Sequence, residues 1–216
     1  MPSLATLTTL TLAGESITLL PHRAALWNST LLIADLHLGK THSLHTLGIG
    51  VPGDSFDESL NRLAALIADT GAARLLILGD LLHAPAGLTP TMIDRVAAWR
   101  ERHSIDITVV PGNHDRKLES LANTWRFTIA PERLDEGPFT FTHDPVPVRH
   151  RYVFGGHLHP AIKLPGGRFP LKLPAFLIGP DLAILPAFST FSAGSTLRPK
   201  PGDRVFAIAG ERVVEV

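Results

Sequence analysis

Apolar residues recur along this chain in two spacings, and each predicts an element. Leu4 to Leu12 and Ser16 to Leu20 alternate loosely between apolar and polar around Gly14-Glu15, which predicts an opening hairpin. Leu31 to Asp35, Arg74 to Asp80 and Ile105 to Pro111 are short β-rich runs apolar on both faces, the pattern of strands buried between two layers. Helical spacing lies between them. Ser55 to Asp69 places Phe56, Leu60, Leu63 and Ile67 on one face, with Asp57 and Glu58 in the first turn and Gly71 closing it. Thr91 to His103 repeats this with Met92, Ile93, Val96 and Trp99, and Pro90 stands at its start. The β-α-β-α-β order predicts parallel strands joined by crossover helices.

After Pro138 the pattern changes to short strands and turns: Phe139 to His143, Tyr152 to Gly155, Ala175 to Ile178, Leu182 to Phe188, Arg204 to Ala209 and Arg212 to Val216. These predict a second, more antiparallel sheet. Two mixed sheets face to face with helices outside make a four-layer α/β/β/α sandwich, with residues 1–216 expected as a single domain. The chain contains no internal repeat, low-complexity tract or long linker.

Composition narrows the chemistry. Length 216 and 44% hydrophobic content allow one sizeable core. Twenty Lys+Arg balance twenty Asp+Glu, so bulk electrostatics would not hold a polyanion, and any such substrate must be gripped locally. Cysteine is absent, which removes disulfides, thiolate nucleophiles and sulfur-ligated metals and leaves His, Asp and Asn as ligands. Met1 to Ala13 lacks a positive leading region, and no stretch approaches roughly eighteen uninterrupted apolar residues. The expectation is a soluble cytoplasmic protein, away from the membrane.

Five blocks then carry the candidate chemistry, most of them directly after a hydrophobic run: Asp35-Leu36-His37, Gly79-Asp80, Gly112-Asn113-His114-Asp115, Thr142-His143 and Gly156-His157-Leu158-His159. In an extended segment residues i and i+2 share a side, so Asp35 with His37, and His157 with His159, would each aim two ligands at one cavity, with Leu36 and Leu158 turned into the core. Asp80 can bridge two cations, and Asn113 ligates without adding charge. Two divalent metals roughly 3.5 to 4 Å apart clamp a phosphate and generate a hydroxide nucleophile near neutral pH. Sulfur-free His, Asp and Asn ligation suits Mn, Fe, Ni or Zn better than Mg or Ca.

These blocks, in this order, resemble the calcineurin-like metallophosphoesterase superfamily, whose pattern is D-x-H, G-D, G-N-H-[DE], H and G-H-x-H. The resemblance implies one metal on Asp35, His37, Asp80 and His159, and a second on Asp80, Asn113, His143 and His157. It implies His114 at the leaving group, as general acid or as stabiliser of developing charge. Ala34 to Lys40, Gly48-Ile49-Gly50-Val51-Pro52, Gly79 to His83 and the Pro186-Ala187-Phe188-Ser189-x-Phe191-Ser192-x-Gly194 segment are further similar to the bacterial ligase-associated DNA damage response endonucleases. That subfamily implies a manganese-dependent phosphodiesterase acting on DNA, in a repair system with a DNA ligase and a helicase. The phosphoprotein phosphatase extension G-D-x-x-D-R-G is absent, since Leu81-Leu82-His83-Ala84-Pro85 follows Asp80. His83 or Asp115 is then the candidate to orient the catalytic histidine.

Other readings are weaker. Gly48 to Gly53 formally satisfies G-x-G-x-x-G but follows no β-rich run, and Pro52 lacks the N–H a phosphate cradle needs. No G-x-S-x-G elbow supports a serine nucleophile. From Pro145 to Pro180 no acid precedes Asp181, while Arg149, Arg151, Lys163, Arg168 and Lys172 supply positive charge that would draw a phosphate backbone. Lys40 and Arg116, each just beyond a block, are placed to grip a phosphate oxygen; His22, His42, His45, His103 and His150 fall outside the blocks and read as ordinary hydrogen-bonded imidazoles, with pocket lining the alternative for His42 and His45. Two rivals to the DNA endonuclease are a phosphoesterase for a small nucleotide or cyclic nucleotide, and a non-catalytic binding scaffold on the same fold.

Overall fold

The computed structural model describes residues 7–46, 48–50, 55–164, 171–190, 192, 194–196 and 198–216. Of the segments singled out above, Leu4 to Thr6, Val51 to Gly53, Arg168 and Phe191 lie outside these.

The first sheet runs β1 (Thr8–Leu12), β2 (Glu15–Leu20), β3 (Ala24–Trp27), β4 (Thr30–Ile33), β5 (Arg74–Leu78), β6 (Asp106–Val110) and β7 (Thr128–Ile129), in that spatial order. Its first four strands are antiparallel, the expected hairpin included, and β4 to β7 are parallel. The second sheet comprises β8 (Arg133–Glu136), β9 (Phe139–Thr142), β10 (Tyr152–Gly155), β11 (Pro160–Leu164), β12 (Leu171–Ile178), β13 (Leu182–Ile184), β14 (Ser195–Thr196), β15 (Arg204–Ala209) and β16 (Arg212–Glu215). It is mostly antiparallel, but β10 lies parallel to both β9 and β13.

Alternation along the parallel strands sorts side chains into two cores. Leu32, Leu76, Leu78 and Val110 meet Phe139, Phe141, Phe154 and Phe176 of the second sheet in one apolar layer. Leu31, Ile33, Leu75, Ile77, Ile107 and Val109 face the other way, against α2 (Ser55–Thr70), α3 (Pro90–Arg102) and α4 (Leu118–Trp125). A seven-residue helix, Lys40–Thr46, follows β4 and precedes these three; it is α1.

The expected pair of mixed sheets is the observed architecture. Among the described residues every helix lies between positions 40 and 125. A third, small apolar cluster of Ala175, Leu177, Ile184 and Val205 lies on the second sheet, with Ile162 and Leu182 packed against it. After Trp125 the chain contains only strands and turns among the described residues. No helix among the described residues is long and apolar enough to cross a membrane.

Candidate metal centre

All five blocks sit just past the C-terminal ends of parallel strands, after β4, β5 and β6 in one sheet and after β9 and β10 in the other. Parallel strands end on the same edge, and the two edges meet. The chain then leaves strand geometry at once. Asp35, His37, Asp80, His157 and His159 have φ of 55°, 52°, 50°, 65° and 45°, all in the left-handed region that non-glycine residues avoid. Convergence of Asp35 with His37, and of His157 with His159, therefore comes from tight turns rather than from the strand alternation expected. Leu36 is buried, but Leu158 is 37% exposed, because residues 157–158 form a bend instead of continuing β10. Such backbone costs about 1 kcal/mol or more at each position and persists where surrounding bonds over-determine it.

Those bonds are explicit. The Asp35 N–H donates to Gly79 O at 3.1 Å, His37 N–H to Asp80 O at 2.9 Å, Leu38 N–H to Leu81 O at 2.8 Å, and His83 N–H back to Leu38 O at 3.0 Å. On the other side, Phe188 N–H donates to Ala34 O at 2.8 Å and Ser189 N–H to Asp35 O at 3.1 Å. The Pro186-to-Ser189 segment thus braces the first block, a role no sequence spacing indicates. Two glycines are required by close approach. A Cβ on Gly112 would lie 2.3 Å from both the Asp80 nitrogen and its Oδ1, and one on Gly156 would lie 2.6 Å from Asp35 Oδ2.

Two nests of donor atoms result. In the first, His37 Nε2 lies 3.4 Å from His159 Nε2, and His159 Nε2 lies 3.3 Å from Asp35 Oδ1. In the second, His143 Nε2 lies 2.8 Å from Asn113 Oδ1, 3.1 Å from His157 Nδ1 and 3.5 Å from Asp80 Oδ1. The tautomer of His143 follows from its other nitrogen, which is 3.1 Å from Leu78 O and must donate to it. Its Nε2 is then a lone pair facing two oxygens that are also acceptors. A cation among the four groups would suit that arrangement, as would a proton donated by His157 Nδ1. Carboxylate burial argues the same way: Asp35 is 0% and Asp80 2% exposed, and around them are backbone N–H groups and imidazoles rather than a guanidinium or ammonium in contact. Asp35, His37 and His159, and Asp35, Asp80 and His143, form groups whose ligand atoms all lie within 4.8 Å of one another. The donor set fits divalent metals, and the second nest shows the histidine-to-carbonyl support that orients metal-binding imidazoles.

His114 stands at the rim. Its Nδ1 is 2.7 Å from His83 O, which assigns the proton to Nδ1 and turns Nε2 toward Asp80 Oδ2 at 3.9 Å. The His83 ring stacks on it, centroids 5.6 Å apart and 13° from parallel. His83 thus supports His114 through its carbonyl and its ring face. Asp115 does something else: its oxygens accept from the N–H groups of Gly112 (2.9 Å), Leu82 (2.9 Å) and Leu81 (3.3 Å), tying the second and third blocks together. Burial raises the Asp115 pKa, and these backbone bonds oppose the rise. Burial likewise lowers His37, from 6.5 to about 2, with Lys40, His159, His83 and His114 adding to it, so the ring stays neutral and able to ligate.

Lys40 is half-buried, and burial lowers its pKa while the Asp35 carboxylate opposes the shift. It lines a cavity of about 430 Å³ beside His37, shared with His42, His45, Phe56 and Arg95. Arg116 is exposed and has no recorded contact with either nest. Of the basic run, Arg151 is turned away: its Nε donates to Thr140 Oγ1 at 2.9 Å and pairs with Asp135 at 3.3 Å, so an acid on β8 accounts for that charge. Sequence reading missed Arg23 and Arg62, both largely buried against carbonyls of the 187–189 segment. Burial lowers Arg62 to about 10, with the Arg23 charge adding to it and Glu58 opposing.

Comparison with known proteins agrees with this geometry. The family described as calcineurin-like phosphoesterase matches residues 29–150, from before Asp35 to beyond His143. Among solved structures, the Pseudomonas putida nuclease MPE is 30% identical, with a TM-score of 0.85 over 97% of this chain and 100% of that one. Yfce, a phosphoesterase from E. coli, is 18% identical with a TM-score of 0.43, covering 87% of this chain and 97% of that one. No curated protein matches at the sequence level. The similarity to the nuclease along both whole chains is consistent with the ligase-associated subfamily. With the family match spanning more than half of the 216 residues and including Asp35, His37, Asp80, Asn113 and His143, the chain belongs to the calcineurin-like phosphoesterase family.

Proposed function

We propose that this protein is a two-metal phosphodiesterase that cleaves DNA. Asp35, His37, Asp80 and His159 would hold one metal, and Asp80, Asn113, His143 and His157 the other, with Asp80 shared. Bound there, such a pair supplies Lewis acidity toward a phosphate oxygen and toward water at neutral pH. The chain's own residues do the rest. Leu78 O holds His143 in one tautomer, and His83 O holds His114, whose Nε2 lies on the Asp80 side and would assist the leaving oxygen. Lys40, beside the Asp35 nest, is the nearer of the two proposed phosphate grips, with Arg116 farther out.

The observation that carries this reading is the convergence of Asn113 Oδ1, Asp80 Oδ1 and His157 Nδ1 on His143 Nε2, four ligand-type atoms gathered where a divalent cation would sit. A nuclease among the similar structures supports nucleic acid as substrate. The subfamily resemblance supports DNA, manganese, a cytoplasmic repair role and a DNA ligase and helicase as partners. The rival small phosphodiester finds support in the cavity beside His37, whose size suits a single nucleotide.

The deciding assay measures Mn²⁺-dependent hydrolysis of bis-p-nitrophenyl phosphate, a cyclic nucleotide and nicked or single-stranded DNA side by side. We expect DNA to be cleaved, Asp80→Ala to abolish hydrolysis and His114→Ala to lower it by about 10²- to 10³-fold. Diester cleavage that survives both substitutions refutes the assignment. Full metal occupancy without hydrolysis of any substrate would leave the scaffold reading.

A further inference from the structure

Beside the first nest lies a pocket of about 190 Å³ lined by Arg23, His159, Lys172, Thr190, Ser192 and Gly194 among others, with no carboxylate among its lining residues. His159 lines the pocket and belongs to the nest, so the two are adjacent.

The polar groups of this pocket lack partners of opposite charge. Arg23 sits in the turn between β2 and β3 at φ 65°, where a glycine would fit without strain. Its Nη1 donates to Ser189 O at 2.5 Å and more weakly to Ala187 O at 3.3 Å, which fixes the guanidinium at the pocket wall. No carboxylate of the described residues forms an ion pair with it, and burial lowers its pKa with only Glu58 opposing. Thr190 Oγ1 and Ser192 Oγ are buried and make no hydrogen bond among the described residues. Buried hydroxyls are almost always paired, so two unpaired ones on one pocket point to a ligand with acceptor oxygens. Lys172 completes the set. Its Nζ donates to Gly194 O, and on the β11–β12 hairpin it stands directly across from Lys163, a like-charge pair that costs stability unless an anion relieves it.

Guanidinium, ammonium and two free hydroxyls without an opposing acid are the donors a phosphodiester monoanion takes. We propose that this pocket is a second phosphate site, holding the backbone phosphate of a nucleic acid strand next to the phosphate at the metals. The inference rests on the phosphodiesterase reading and sharpens it: the enzyme measures out a strand rather than an isolated diester. It also gives Thr190, Ser192 and Gly194 a task.

Equilibrium binding tests this without relying on turnover. A fluorescently labelled oligothymidylate of about eight nucleotides is titrated, across a series of salt concentrations, against Mn²⁺-loaded protein carrying His114→Ala to prevent cleavage. Adding Lys172→Gln should make the slope of log affinity against log salt shallower by about 0.7, the value for one phosphate contact on a single strand. Adding Thr190→Val with Ser192→Ala should weaken binding roughly tenfold at every salt with the slope unchanged. Lys200→Gln, an exposed lysine outside the pocket, should leave the slope alone. Equal slope changes from Lys172 and Lys200, or full affinity in the hydroxyl variant, overturn the site. Lys172 stands on an exposed strand position, so its variant carries the test should the hydroxyl variant fail to fold. If these binding effects appear while the His114-intact protein hydrolyses no bis-p-nitrophenyl phosphate, the phosphate site stands and the hydrolase reading falls.

Discussion

At the scale of single residues, the centre is held by atoms with no room to move. Gly112 shows it most directly, because any Cβ would collide with the Asp80 backbone nitrogen and carboxylate at 2.3 Å. Gly112→Ala should displace Asp80, cut metal content below one equivalent and lower hydrolysis at least about tenfold while the protein stays folded. Elemental analysis beside a melting curve checks this, and an alanine variant with two metals and full activity would contradict the packing. His37 gives a pH dependence. Its folded-state pKa is pushed from 6.5 to about 2, chiefly by burial, so below 6.5 the unfolded chain takes up a proton that the metal-free fold refuses. That contribution to stability is therefore complete above pH 6.5 and is lost as pH falls toward 2, with a slope of at most about 1.4 kcal/mol per pH unit. Urea unfolding of metal-stripped protein between pH 7.5 and 5 should show the decline, and His37→Asn should flatten it. Identical slopes in the two proteins would exclude His37 as the source.

Among the elements, those that read clearly from sequence are the ones whose pattern is long or doubly apolar. The helices α2 and α3 appear within a few residues of their expected ends, with Thr89 accepting from Met92 N–H at 3.2 Å to start α3 beside Pro90. Short helices do not announce themselves: α1 and α4 have seven and eight residues, too few for a periodic signal, and depend on tertiary packing for their stability. Arg100 shows how such packing is arranged. It is buried in α3 and donates to Trp125 O at 2.8 Å, Arg126 O at 2.9 Å and His103 O at 2.7 Å, so one guanidinium satisfies the carbonyl ends of α3 and α4 together. Arg100→Met should cost about 1 to 3 kcal/mol in denaturant unfolding, because the buried Trp125 carbonyl and two part-buried ones lose their donor. A cost below about 0.5 kcal/mol would mean that water replaces it.

For the whole molecule, the layer between the sheets sets the position of one strand edge against the other, and with it the distance between the nests. Phe154 is at its centre, 5.0 Å from Phe139 edge to face and 5.8 Å from Phe141 in a stacked arrangement, and fully buried. It also lies on β10, three residues before His157. Phe154→Ala should cost about 3 to 5 kcal/mol and weaken the second metal's binding as β10 shifts. Loss of stability with unchanged metal stoichiometry would separate the core from the centre. The candidate metal-binding residues, their order and the strands before most of them were legible in the chain, because ligand chemistry is written in residue type and buried strands in runs such as Leu75 to Leu78. Tertiary structure decided the remainder. Left-handed turns at Asp35 and His159, the bracing of Asp35 by Phe188 and Ser189, and the buried Arg23 all depend on contacts between residues far apart in sequence. Local pattern can say which way a side chain points along one strand, but only packing two sheets together determines what it meets.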